Sequence, residues 1–170
     1  MSGNQRAVIL VGHGGVPKDC PQEWIRRLKQ LEGQRRASGQ GASSEELELD
    51  GKIRQWPRTP ENDTYKAGLE SLGQELKPLL QDARLVLAYN EFCAPSLKEA
   101  VEQLVGEGIQ SITVVPSMFT PGGSHSQVEI PESIEELRSD YPQVTLQYAW
   151  PFDLGSLATL LAGHLQKFQP

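Results

Sequence analysis

The sequence predicts an α/β fold, a parallel four-stranded sheet with helices on both faces, and three observations carry that prediction. Short β-branched runs recur along the chain. Each ends in small or functional residues, not in a tight hairpin turn. Helical apolar spacing fills the stretches between and after them, so strand and helix alternate as crossover connections between parallel strands require.

Three of the runs are continuously apolar: AVILVGHGG at Ala7 to Gly15, RLVLAYNEF at Arg84 to Phe92 and SITVVPSMF at Ser111 to Phe119. Continuous runs suit strands buried on both faces. A fourth, VTLQYAW from Val144 to Trp150, alternates and belongs nearer an edge. From Thr64, TYKAGLESLGQELKPLLQ places Leu69, Leu72, Leu76 and Leu79 at helical spacing. In SLKEAVEQLVGEG, Ser96 and Glu99 form a capping box, Leu97, Val101, Leu104 and Val105 share a face, and Gly106 and Gly108 end the helix. Ser124 with Gln127 is a second capping-box pattern, which puts His125 in a first helical turn with Glu129 one turn on. Pro131 then either stops that helix early or restarts it at a new angle. The last helix, SLATLLAGHLQKF, has Asp153 as N-cap. His164 falls on its apolar stripe with Leu157, Leu160, Leu161 and Phe168, as a packing or interface histidine.

Composition bounds the function. A chain of 170 residues with 38% hydrophobic content has material for one compact domain spanning 1–170. Its net charge of -6 argues against a nucleic-acid or anionic-membrane partner, both of which need a clustered basic surface. Arg26, Arg27, Arg35 and Arg36 are the one local basic cluster, and Glu23, Glu32, Glu45 and Glu46 around them make it a solvated helix face. Cys20 and Cys93 have no CxxC pairing, so neither a zinc knot nor a disulfide framework is expected. No apolar run reaches the roughly 18 residues of a spanning helix. The start MSGNQR is short and polar for a signal peptide, and a cytoplasmic location is expected.

In open parallel sheets, ligands bind beyond the carboxyl ends of the strands. The residues just past the first three strands are His13, Glu91 and His125, all of metal-ligand or proton-transfer type. Alone, His13 could be a loop histidine bonded to backbone, and Glu91 a carboxylate at a helix start. Together they gain meaning from the fold, which brings all three to one sheet edge. Gly12, Gly14 and Gly15 leave room for something large to approach His13. Glu129, one turn from His125, is placed to fix the imidazole tautomer.

VGHGG, NEFCAPSLKEAVEQLVGEG and VVPSMFTPGGSHSQVEIPESI resemble the single-domain class II tetrapyrrole chelatases, the family of sirohydrochlorin cobaltochelatase and ferrochelatase. The shared features are a histidine-glycine pair after strand one, an acidic residue shortly before a proline, and a glycine-rich turn leading to histidine, a spacer, an acidic residue, isoleucine and proline. The resemblance covers roughly Ala7 to Gly15 and Leu85 to the C-terminus. It implies a chelatase-like, flavodoxin-like fold and insertion of a divalent metal, Co(II), Fe(II) or Ni(II), into a sirohydrochlorin-like tetrapyrrole, with no organic cofactor. His13 and His125 would be the metal-binding and catalytic pair, Glu91 their acidic partner, and a homodimer the working form. Insertion removes two pyrrole protons and strips water from the ion, which suits histidines with a pKa of about 6.5 and a set of ligands that leaves coordination positions open. Backbone amides of Gly14, Gly15, Gly122 and Gly123, with the hydroxyls of Ser124 and Ser126, are candidate donors to the ring's carboxylates.

Two departures stand out. Gly15 occupies a place where the family commonly has serine. A segment at about 17–60 separates the first motif from the next family-like helix. It contains PQEWIRRLKQLEGQRR, with Trp24, Leu28 and Leu31 on one helical face, and KIRQWPRTPEND. Trp24, Trp56, Arg54 and Arg58 could form a lid that stacks on a flat ligand and pairs its carboxylates. The alternative is an elaboration packed outside the site or against a partner. A non-catalytic metal or tetrapyrrole carrier would use the same ligands as a chelatase. A flavodoxin-like nucleotide-binding domain is disfavoured, because the first loop lacks GxGxxG and GxxxxGK[ST].

Overall fold

The computed structural model describes residues 6–168; the N-terminal residues on which the leader expectation rests lie outside them. The strands are β1 (Arg6–Gly12), β2 (Arg84–Tyr89), β3 (Ser111–Pro116) and β4 (Thr145–Tyr148), all parallel, in the order β2-β1-β3-β4. Ile9 at the centre pairs with Val86 on one side and Val114 on the other. β4 is an edge strand as its alternation suggests. β2 is the other edge strand, and its continuous apolar run fits a strand covered on both faces. Its apolar character comes from helices above and below it, which need no flanking strands.

The helices are α1 (Gln22–Ser38), α2 (Ser44–Arg54), α3 (Thr64–Leu76), α4 (Leu97–Gly106), α5 (Ile130–Asp140) and α6 (Leu154–Leu165). The main core lies between one face of the sheet and α4 with α5. There Ala7, Ile9, Val11, Ile112 and Val114 meet Val101, Leu104, Ile134 and Leu137. Alternate strand residues turn to the opposite face, where Leu10 and Tyr89 pack with Leu69 of α3. The capping box at Ser96 and Glu99 forms as its pattern requires. Leu72 and Leu79, which share the spacing of the α3 stripe, remain exposed.

The segment at about 17–60 folds as a helical hairpin of α1 and α2 with its own small core of Cys20, Ile25, Leu28, Ile53 and Phe92. The residues proposed for a lid are used in building it. Trp24 and Trp56 pack edge to face at 5.6 Å. Arg58 is buried, forms an ion pair with Asp63 and donates to the carbonyls of Gly15, Ile53 and Phe92. Arg54 pairs with Asp50 and donates to the carbonyls of Asn90 and Cys93. The arginines thus tie the hairpin to the loops after β1 and β2.

The second capping box does not form. Ser124 is already helical, its side chain caps nothing, and Gln127 instead accepts a hydrogen bond from the Gly122 N–H at 2.6 Å. Residues His125–Glu129 make a widened turn in which the Ile130 N–H reaches back five residues to the His125 carbonyl. Pro131 explains the widening. It has no N–H to offer the carbonyl four residues before it, so the regular ladder is interrupted and resumes as α5. α6 is capped by Asp153, whose carboxylate accepts from the Ser156 N–H. It buries none of its residues, and His164 is exposed, so within one chain the expected packing role is not realised.

Candidate metal centre

The parallel ladder continues past the strands and sets the first two side chains. Beyond Gly12 and Tyr89, the Asn90 N–H donates to the Gly12 carbonyl at 2.9 Å and the Glu91 N–H to the His13 carbonyl at 2.8 Å. His13 and Glu91 are therefore neighbours on adjoining loops. Gly14 is what lets the loops approach. It has φ +97°, and a Cβ there would lie 1.8 Å from the Glu91 carbonyl oxygen. The loop after β3 then brings in His125 at the start of the widened turn.

One ligand atom from each of His13, Glu91 and His125 lies within 4.8 Å of the other two. The two imidazoles meet edge to face at 4.6 Å between centroids, and His13 Nε2 is 3.9 Å from Glu91 Oε2. Each ring is held through Nδ1. His13 Nδ1 is 2.8 Å from the Gly14 carbonyl oxygen and His125 Nδ1 is 2.8 Å from Glu129 Oε2. The Gly14 carbonyl is an acceptor, so His13 Nδ1 carries the proton and its Nε2 lone pair is free for a metal or a proton; His125 Nδ1 lies between the Glu129 carboxylate and the Asn90 amide nitrogen, 2.8 Å from each. Two imidazoles and one carboxylate leave coordination positions open, and the His13 side chain is 41% exposed, so an ion can exchange.

Two supporting residues lie outside the candidate set read from the sequence. Asn90 donates to Glu129 Oε2 at 2.9 Å, with its nitrogen 2.8 Å from His125 Nδ1, and links the β2 loop to the widened turn. Tyr65 accepts a hydrogen bond from the His13 N–H at 2.7 Å. Only contacts across 35 to 52 residues reveal them.

The surroundings differ on the two sides. Towards β2, a cavity of about 440 Å³ runs from Asn90, Glu91 and Glu129 to the inner wall of the hairpin, including Glu32, Arg36 and Asp50. Burial, with Glu91 close by, holds the Glu32 carboxyl above its ordinary value. Burial acts upward on Glu129 as well, but hydrogen bonds from Asn90 and His125 outweigh it and keep that carboxyl below the usual range. Towards β4 lie aromatic rings. Phe119 and Trp150 each pack on Phe152, at 5.3 and 5.7 Å, and Tyr148 donates to the Ser126 carbonyl at 2.7 Å. Of the residues considered as anion donors, Ser126 is buried and the Gly122 amide is already engaged by Gln127. Gly15, Gly123 and Ser124 remain beside the site.

A family model named CbiX matches residues 60–163. The chain is 36% identical over 61 residues to a sirohydrochlorin cobaltochelatase of Priestia megaterium, which is 36% of this chain and 20% of that protein. It is 40% identical over 48 residues to a sirohydrochlorin cobaltochelatase of Sulfurisphaera tokodaii, 28% of this chain and 39% of the relative. The matched stretches thus cover well under half the length of either relative. Among solved structures, a cobalamin (vitamin B12) biosynthesis CbiX protein from Marinobacter aquaeolei VT8 shares the fold, with a TM-score of 0.51 at 20% identity over 95% of this chain and 96% of that one. The matched stretch contains Glu91 and His125 but begins after His13 and after the hairpin.

Proposed function

Because the chain belongs to the CbiX family, we propose that it is a tetrapyrrole chelatase, inserting Co(II), Fe(II) or Ni(II) into sirohydrochlorin or a close relative. The observation that carries this reading is the convergence of His13, Glu91 and His125 within 4.8 Å on three separate loops. In it, the two imidazoles and the Glu91 carboxylate hold the incoming ion at an open site. As the ion enters the ring, the same imidazoles accept the departing pyrrole protons. An imidazolium formed at His125 would donate from Nδ1 to the Glu129 carboxylate. The macrocycle approaches between the hairpin wall and the aromatic side at Phe119 and Trp150. Its carboxylates are met by the amides near Gly14, Gly15 and Gly123 and by Ser124.

The working form is a homodimer in this reading, and the compartment is the cytoplasm, where the free, buried Cys20 and Cys93 stay reduced. No helix among the described residues is long and apolar enough to cross a membrane.

An anaerobic assay tests the proposal: sirohydrochlorin with Co(II), Fe(II) or Ni(II), followed by the absorbance change of the ring. His13→Ala and His125→Ala should each reduce insertion by roughly 10²-fold or more, the scale of a lost general base. Asn90→Leu should cost about 10-fold, as for loss of a group that orients a ligand. Wild-type protein that binds ion and ring yet inserts no faster than buffer would replace the chelatase reading with a carrier.

A further inference from the structure

α6 stands clear of the domain that precedes it. None of its residues is buried, and Leu154, Leu160, Leu161 and Leu165 are 55–65% exposed, with Phe168 just beyond at 73%. An apolar helix with a well-formed Asp153 cap is built to be covered.

The same chain leaves part of one sheet face uncovered. Right-handed crossovers put α4 and α5 on one face of the sheet and α3 on the other. The chain leaving β4 at the sheet edge would, by the same rule, return along the α3 face over β3 and β1. Nothing lies there. Val8 and Thr113, which point to that face, are only partly covered, and Thr145 and Gln147 on β4 are exposed. The hairpin packs at the carboxyl edge and not on this face. The two flanks of α3 differ. Glu70, Gly73 and Gln74 of α3, with Lys77 just beyond it, line a mixed groove over Leu85 and Leu87 at the β2 edge. Leu72 and Leu79 lie on the opposite flank of the Leu69–Leu76 stripe, towards β1 and β3, and both are exposed.

We propose that α6 of a second copy of this chain covers this part of the face, and that the exchange is reciprocal across a two-fold axis. Leu154, Leu157, Leu160, Leu161 and Phe168 would then pack on Val8 and Thr113 and between Leu72 and Leu79 of the partner. The proposal rests on the homodimer reading and adds to it the element exchanged and the surface that receives it. One exchange resolves both an uncovered helix and an uncovered half-face, and a closed two-fold arrangement uses each surface once.

Two measurements test this on the full chain. Multi-angle light scattering reads the dimer itself, and Leu160→Lys with Leu161→Lys should weaken it by roughly a hundredfold or more, as for central apolar contacts. Cross-linking reads the exchange. Two differently tagged chains, one Thr113→Cys and one Leu160→Cys, are co-expressed and treated with a short bismaleimide, with wild type as control for Cys20 and Cys93. A covalent heterodimer supports the exchange. A dimer by light scattering without that cross-link overturns the exchange and leaves dimerisation standing. A monomer overturns both, and cross-linking within a single chain that carries both cysteines overturns the exchange.

Discussion

α4 and α6 are much alike as sequences and opposite as structures. Each begins at a side-chain cap, Ser96 or Asp153, and each carries a stripe of apolar residues. α4 buries Leu97, Ala100, Val101 and Leu104 against β1, β2 and α5; α6 buries nothing. Local signals decide that a helix forms and where it begins. Burial is decided by the surface opposite, and a single chain supplies that surface to α4 and withholds it from α6.

Substitutions at matched positions sharpen the contrast most. Leu104→Ala removes a fully buried side chain from the main core and should cost about 2–5 kcal/mol by denaturant unfolding. Leu160→Ala, in protein dilute enough to be monomeric, should change stability by no more than about 0.5 kcal/mol, because the side chain is already in water. If Leu160→Ala is as damaging as Leu104→Ala at every concentration, α6 packs on its own domain and the contrast collapses. A concentration-dependent cost would instead locate its partner on another chain.

The caps give a smaller effect of the same kind. Ser96→Ala should lower global stability by about 1 kcal/mol, since α4 is an integral part of the core. Asp153→Ala should fray α6 and reduce its circular-dichroism signal while leaving the global unfolding midpoint of the monomer in place. Equal shifts of the midpoint would mean that the two helices belong to one cooperative unit.

The same division between local pattern and distant surface explains what was legible in the sequence. The strands were readable because β-branched runs leave few alternatives, and the triad was readable because parallel strands deliver their following loops to one edge. β2 reads as buried on both faces because α3 and α4 cover it, and that pattern is blind to whether a neighbouring strand exists. The Ser124 box failed because Pro131, several residues on, changes which carbonyls need donors. Arg54 and Arg58 looked available to a ligand because the carbonyls of Asn90, Phe92 and Cys93 that claim them lie far along the chain. Asn90 and Tyr65 were invisible for that reason too: their roles exist only in contacts made after folding.

The thiols offer the finest probe of how well the α3 face is sealed where α3 itself covers it. Cys93 lies in the cluster with Leu10, Leu69 and Tyr89, and burial pushes its thiol above the ordinary value, with Arg58 nearby acting in the opposite direction. Cys20, in the hairpin core, is raised by burial as well. A raised thiol pKa means that the unfolded chain ionises first as pH rises. The stability from keeping these groups neutral is therefore fully present below the unfolded value of about 8.5 and is lost as pH climbs from there through the folded values. Native protein at pH 8 should then react with iodoacetamide far more slowly than urea-unfolded protein at both positions. Fast alkylation of Cys93 alone would show that the covered half of the α3 face opens readily, and that α3, like α6, depends on something outside the chain to stay in place.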